Sequence, residues 1–251
     1  MFLKKIKPST NGSRNKKLIY LKKRLKFKPL IYTLRSKNGR GIDGKIIARY
    51  KWTGLKKKYR LIDYYNVKYN FSYNLVGYEL TRYTNSLLGL MQSKNNFKRY
   101  VILPDNFNEK NYMITTFQFF NKDESLGHTI PIGWIPNNTL IYNLETKPNQ
   151  GAKLIRAAGT YGKIITHTNN YVYIKLPSKK LIKVSKYCFA SIGRVSNTFA
   201  KFQRLGSAGM SYKLGVRPKT LGESMNATDH PNGGRTRKGK PTKNFWGKIV
   251  K

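Results

Sequence analysis

The stretch Tyr161-Gly-Lys-Ile-Ile-Thr-His-Thr-Asn-Asn-Tyr171-Val-Tyr-Ile-Lys-Leu-Pro-Ser-Lys-Lys-Leu181-Ile-Lys-Val184 decides the fold class. Three runs of Ile, Val and Tyr are divided by two polar turns, His167-Thr-Asn-Asn170 and Pro177-Ser-Lys-Lys180. β-Branched and aromatic side chains suit a pleated surface, and Asn, Ser and Pro suit the reversals between strands. In the middle run Val172, Ile174 and Leu176 alternate with Tyr171, Tyr173 and Lys175, the period of a strand with one buried face. The reading is an antiparallel meander. Leu140-Ile-Tyr-Asn-Leu144 adds a strand and Ile130-Pro-Ile-Gly133 opens the cluster, which together make a small barrel.

Upstream the same punctuation recurs. Lys45-Ile-Ile-Ala-Arg-Tyr50, Tyr59-Arg-Leu-Ile-Asp-Tyr64, the span from Tyr73 to Arg82, Lys98-Arg-Tyr-Val-Ile-Leu103 and the span from Tyr112 to Phe120 read as strands. Short strands separated by Gly, Asn and Pro predict another small barrel. Helix is sparse. Ala152 to Ala158 reads as about two turns closed by Gly159. Asn197 to Leu205 reads as another short helix, capped by Ser196 or Asn197 and stopped by Gly206. Beyond Gly206 the apolar pattern ends. Asn38-Gly-Arg-Gly-Ile-Asp-Gly44 reads as a flexible connector. Before it, Lys16, Lys17, Lys22, Lys23, Arg24, Lys26 and Lys28 leave no consistent apolar face, so this arm is expected to be extended and ordered by a partner.

The partner follows from charge. Lys and Arg number 50 against 10 Asp and Glu, a formal net charge of +40 on 251 residues. Self-repulsion on that scale opposes compaction, and a polyanion relieves it while releasing condensed counterions. The chain lacks an unbroken apolar run of about 18 residues, which disfavours a membrane partner. The 18 Tyr and 12 Phe serve chiefly as sheet and core residues, and also offer ring faces for base stacking. Cys188 is the single cysteine, so neither an internal disulfide nor a cysteine-based zinc knuckle can form. No secretory signal is recognisable at the amino terminus.

Enzyme chemistry finds little support. His128 and His167 read as surface or turn residues, and Asp123 and Glu124, adjacent in sequence, point apart. No serine elbow, phosphate-binding glycine loop or metal motif occurs, so no catalytic or metal-ligating residue is assigned. His230 stands out within Met225-Asn-Ala-Thr-Asp-His-Pro-Asn-Gly-Gly234. Pro231 biases His230 toward extended backbone, and Gly233 and Gly234 let main-chain amides approach an anion. Asp229 is expected to hold the imidazole in one tautomer. A rigid polar turn pressed into folded RNA and an ordinary Asp-His-Pro turn account equally well for the spacing. In Leu154-Ile-Arg-Ala-Ala-Gly-Thr160 the small residues beside Arg156 admit a phosphate backbone that a guanidinium binds in two-pronged fashion. A solvated arginine is the plainer alternative. Arg217, held before Pro218 in Gly215-Val-Arg-Pro218, is a candidate phosphate or groove contact.

These segments, with Arg204-Leu-Gly-Ser-Ala-Gly209, Lys58-Tyr-Arg-Leu-Ile-Asp63, Arg99-Tyr-Val-Ile-Leu-Pro104, Asn143-Leu-Glu-Thr-Lys-Pro148 and the closing Gly239-x-Pro-x-x-x-x-Trp-Gly-Lys248, resemble the universal large-subunit ribosomal protein two family over nearly the whole chain. The resemblance implies an all-β fold: an oligonucleotide-binding-fold barrel, then an SH3-like barrel, with an extended basic N-terminal arm and C-terminal tail. The corresponding divisions are 1–40 for the arm, 41–121 and 122–196 for the barrels, and 197–251 for a tail threaded through rRNA. It further implies a structural, non-enzymatic constituent of the large ribosomal subunit. Such a protein binds rRNA early, supports the peptidyl transferase region and joins the subunits. Expected partners are large-subunit rRNA, neighbouring ribosomal proteins and small-subunit rRNA, with no membrane and no small-molecule substrate. Expected rRNA-binding residues are Arg156, Arg204, Arg217, Asn226, His230, Arg235, Arg237 and Lys238, with His230 in the peptidyl transferase region. No cofactor is expected, apart from structural Mg2+ held mainly by the rRNA.

Some positions depart from the family pattern. Asn232 stands where a second histidine is usual. Thr84-Asn-Ser-Leu87 replaces a stretch that carries an RNA-binding arginine. Tyr50-Lys-Trp-Thr-Gly54 replaces a His-x-Gly-Gly-Gly segment, and the basic end expected of bacterial members is shorter here. Abundant Lys, Asn, Tyr, Ile and Phe, the residues an AT-rich genome favours, point to the mitochondrial matrix, with a plastid or a bacterial cytoplasm as alternatives. A free single-stranded nucleic-acid-binding protein or RNA chaperone outside the ribosome is the rival function.

Overall fold

The computed structural model describes residues 2–20, 26–34, 36–65, 72–81, 83–108, 111–116, 126–234 and 241–250. The chain is built from strands: β1 Phe2–Lys5, β2 Lys17–Tyr20, β3 Ile31–Leu34, β4 Lys57–Arg60, β5 Tyr73–Leu80, β6 Leu87–Ser93, β7 Lys98–Ile102, β8 Tyr112–Met113, β9 Thr129–Pro131, β10 Leu140–Tyr142, β11 Leu144–Glu145, β12 Ala152–Leu154, β13 Gly162–His167, β14 Tyr171–Lys175, β15 Leu181–Ser185 and β16 Phe189–Ile192. One short α-helix, α1, spans Ala208–Lys213. The all-β expectation holds.

Two compact units divide the chain. The first comprises Met1–Leu34 and Lys56–Gly206, the second Arg35–Leu55 and Ser207–Lys251. These seams differ from the boundaries expected at 40, 121 and 196. Residues 197–206 stay with the first unit, where Lys17 and Arg204 exchange main-chain hydrogen bonds of 2.9 and 3.1 Å. The connector joins the second unit with the segment that follows it, whose residues Tyr50, Trp52 and Leu55 pair by main-chain bonds with the tail.

In the first unit β7-β6-β5-β8 form one antiparallel sheet, and β15-β14-β13-β10-β16-β9 form another. The predicted meander is the β13–β14–β15 part of the larger sheet. Tyr100-Val-Ile-Leu103 shows why a continuous apolar run belongs in β7. Tyr100 and Ile102 enter one hydrophobic cluster with Ile130, Ile141, Ile164 and Ile174 of the larger sheet. Val101 and Leu103 enter a second, with Tyr73, Leu75 and Met91. The strand is buried on both faces, so alternation is absent. Arg60 pairs with Glu79, and Arg99 pairs with Asp63 at 2.9 Å; the buried Glu79 and Arg99 are each met by an opposite charge that is less deeply covered.

Several elements differ from expectation. Ala152 to Ala158 is not a helix. Ala152 N–H donates to the Tyr64 carbonyl at 2.9 Å, Asn143 N–H donates to the Ile155 carbonyl at 3.0 Å, and Ile155 takes a left-handed φ of 56°. Long-range pairing overrides alanine's helical propensity. The expected helix from Asn197 is a 3-10 turn, Thr198–Phe202, that neither candidate caps through its side chain. Ser196 Oγ instead accepts from Leu87 N–H at 3.0 Å, and Asn197 Nδ2 donates to the Asn85 carbonyl. Lys45 to Tyr50 forms turns in place of a strand. Residues 2–20 are a β1–β2 hairpin. His128 is fully buried, not a surface residue, and His167 ends β13 rather than sitting in a turn. The ends of the strands expected at Arg82 and Phe120, and Lys22 to Arg24, Asp123 and Glu124, lie outside the described residues. Among the described residues no helix is long and apolar enough to cross a membrane.

Candidate nucleic-acid interface

In the second unit the segment from Tyr50 to Leu55, which follows the connector, supplies a strand-like edge for the tail. Trp52 N–H donates to the Gly215 carbonyl at 3.1 Å, Leu55 N–H to Lys213 at 2.8 Å, and Arg217 N–H to Tyr50 at 3.3 Å. This pairing fixes α1 and the turn after it. It also stacks Trp52 on Tyr212, with ring centroids 5.8 Å apart, and sets the Arg217 guanidinium 6.0 Å from the indole. Arg217 is exposed.

The turn around His230 is closed by its own main chain. The Asn226 carbonyl accepts from Asp229 and His230 N–H, the His230 carbonyl from Gly233 N–H at 2.8 Å, and the Met225 carbonyl from Gly234 N–H at 3.2 Å. A Cβ on Gly233 would collide with the carbonyls of Met225 and Asn226, so the paired glycines permit close approach of chain to chain within the turn. The tautomer is set by Asn232, not by Asp229: Asn232 N–H donates to His230 Nδ1 at 3.0 Å. A neutral imidazole whose Nδ1 accepts carries its proton on Nε2. The ring packs on Gly222, where a Cβ would overlap it, and lies 6.0 Å from the Phe245 ring. Asn226 contributes main-chain bonds, and its side chain is exposed.

Phe245 and Trp246 occupy the tip of a hairpin. Asn244 Oδ1 accepts from Lys248 N–H at 2.8 Å, and Val250 N–H donates to Thr242 at 2.8 Å. The Arg49 guanidinium sits 4.0 Å above the Phe245 ring. Arg49, Tyr50, Lys219, Thr220, His230, Phe245 and Trp246 line one cleft of about 330 Å3. Sequence reasoning missed every cleft residue except His230. The available signal was a cation beside an aromatic, Arg49-Tyr50, matched with exposed Phe245-Trp246.

In the first unit Arg156 follows β12 in a turn and lies 4.8 Å from the Tyr64 ring centroid. Its Nη1 donates weakly to the Ala152 carbonyl at 3.4 Å. Burial pushes the Tyr64 phenol upward, with the nearby Arg156 charge opposing. Arg204 is exposed beside the β1–β2 hairpin. Arg235, Arg237 and Lys238 lie outside the described residues. Thr84 and Asn85 serve as anchors: Ala158 N–H donates to the Thr84 carbonyl at 3.0 Å, and Asn197 Nδ2 donates to the Asn85 carbonyl. Among the described residues no group of three or more His, Cys, Asp or Glu is placed to hold a metal ion.

Residues 27–115 match the family described as Ribosomal Proteins L2, RNA binding N-terminal domain, and residues 125–247 match Ribosomal Proteins L2, C-terminal domain. The chain belongs to the ribosomal protein L2 family. Its smaller sheet lies in the oligonucleotide-binding-fold barrel of L2 and its larger sheet in the SH3-like barrel. As an L2 protein it is an RNA-binding component of the large ribosomal subunit, working with rRNA and other ribosomal proteins. The excess of Lys and Arg over acids serves that role by neutralising phosphates.

Proposed function

We propose that this L2 protein is a purely structural, non-enzymatic rRNA binder that supports the peptidyl transferase region and contributes to subunit joining in mitochondrial ribosomes. The observation that carries the non-enzymatic part is the 3.0 Å bond from Asn232 N–H to His230 Nδ1. That bond occupies the one free lone pair of the neutral ring and leaves Nε2–H as a donor. A general base needs a free lone pair within reach of the proton it removes; a donor shapes and binds RNA oxygens instead. Support for the compartment is the richness in Lys, Asn, Ile, Tyr and Phe.

The test is a large subunit assembled with His230→Gln. Normal sedimentation with peptide-bond formation close to wild type is expected. Normal assembly with a loss of about 10²- to 10⁴-fold in that rate, the usual worth of a general base, overturns the reading.

A further inference from the structure

We propose that the cleft between Arg49, Tyr50, Lys219, His230, Phe245 and Trp246 captures a single unpaired nucleotide of an RNA strand, stacking its base on Trp246 and holding its phosphate on Arg49 and Lys219. This deepens the rRNA-binding reading and rests on it.

The cleft volume of about 330 Å3 lies at the small end of ligand sites, a size suited to one nucleotide and not to a base pair. The electrostatics select an anion. The acids of this unit are Asp43, Glu223 and Asp229, and none lines the cleft. Arg49 is oriented by the Phe245 face at 4.0 Å; an aromatic face positions a guanidinium while leaving its in-plane N–H donors available for phosphate. The aromatics select a base. Phe245 and Trp246 meet edge to face at 89° with centroids 5.7 Å apart. The Phe245 face is engaged by Arg49 and its ring also neighbours His230, whereas Trp246 is 55% exposed. The walls are braced before any ligand arrives. Tyr50 holds a left-handed φ of 62°, disfavoured for a bulky side chain, and its hydroxyl donates to the Thr220 carbonyl at 3.1 Å. His230, with Nδ1 engaged, contributes a donor suited to a ribose, phosphate or base oxygen. An acidic peptide would use the cations and leave the open indole idle, so the nucleotide is the better fit.

The experiment uses the full-length chain and a ribo-oligonucleotide of about eight residues with one 2-aminopurine, a length within the usual single-strand site. Quenching of the probe by stacking is expected, together with weaker binding of the same strand as a duplex. Trp246→Ala should abolish the quench and weaken binding about 5- to 150-fold, the range for loss of one stacked base. Trp246→Phe should keep part of both, and Trp134→Ala, an exposed indole in the other unit, should change neither. Free AMP should bind far more weakly than the strand; equal affinity would make this a free-nucleotide site and overturn the proposal. Competition by oligoglutamate as strong as by RNA would reduce the cleft to a charge site and overturn it too. Salt-sensitive binding without quenching sinks the cleft while the rRNA reading stands; no binding of the strand by the wild type removes both.

Discussion

The side chain of Asn232 is bonded at both ends to the main chain of one residue: Nδ2 donates to the Lys243 carbonyl at 2.6 Å, and Oδ1 accepts from Lys243 N–H at 2.9 Å. A side-chain amide matches the N–H and C=O of one extended residue donor for acceptor, so this pair works as a rung of sheet between the His230 turn and the terminal hairpin. It gives a physical reason for an amide at position 232. Asn232→Asp keeps the shape and removes the donor, setting a carboxylate oxygen against a carbonyl. Losing such a bond at a partly covered site costs about 0.5–1.5 kcal/mol. Hydrogen exchange at the Lys243 amide should therefore accelerate by about 2- to 12-fold. Unchanged exchange would show that the rung does not hold the hairpin.

Gly222 meets the His230 ring so closely that a Cβ would overlap the imidazole. Gly222→Ala must rotate the ring or open the turn, either of which strains the Asn232–Nδ1 bond. The main chain of residue 222 sits in an ordinary 3-10 turn, Gly222–Ser224, so the effect reports side-chain crowding rather than backbone conformation. A changed His230 Nδ1/Nε2 pattern in nitrogen-15 spectra of the assembled subunit is the expected result. A pattern identical to wild type would mean that the ring does not rest on Gly222.

The barrels were legible because their signals are local. The alternation of β14 and the unbroken apolar run of β7 each report one strand's own burial. What stayed hidden is pairing across long separations. Ala152–Ala158 carries helical propensity, yet its hydrogen bonds go to Tyr64 and Asn143. Ile46 and Ile47 look like strand residues and are exposed here, because the main chain around them closes turns onto Gly39. The tail shows no apolar period, so only its turn chemistry could be read; its partner edge is the Tyr50–Leu55 segment, with Tyr50 and Thr220 separated by 170 positions. His230 was visible from its neighbours in sequence, while Arg49 and Tyr50 reach the same cleft only through the fold.

His128 carries an acid limit on stability. Its imidazole is fully buried, 5.3 Å from the Tyr112 ring. Burial pushes its pKa below the ordinary value of 6.5, and a hydrogen bond with the Tyr112 main chain opposes this only in part. The unfolded chain therefore takes up a proton at a pH where the folded chain does not. Stability from this group is complete above pH about 6.5 and falls as pH drops from there toward the folded value. Thermal unfolding of the full chain should show a decline below pH about 6.5 that is shallower in His128→Asn. The same slope in both proteins would assign the acid loss to the carboxylate pairs instead.

Glu145 makes the most consequential buried polar contact in the larger barrel. It is buried in β11, with Oε1 accepting from Gly151 N–H at 2.9 Å and Oε2 from Phe189 N–H at 3.0 Å. One carboxylate thus closes the 146–151 turn and holds the start of β16. Burial raises the Cys188 thiol to about 11, and the Glu145 charge adds to that shift. Two charge-assisted bonds to main-chain donors offset the desolvation of the charge. Glu145→Gln keeps the shape but turns an amide N–H2 toward one of those donors, at a cost of about 1–3 kcal/mol. At about 2–4 °C per kcal/mol for a chain of this size, the midpoint should fall by several degrees. Glu145→Ala orphans both main-chain donors and should fall further. Cys188 supplies an independent readout: the thiol should resist alkylation at pH about 8.5 in wild type and react faster in either variant, because the cover over it loosens. A Gln variant as stable as wild type, with its thiol equally protected, would mean that the two donors are satisfied without the charge.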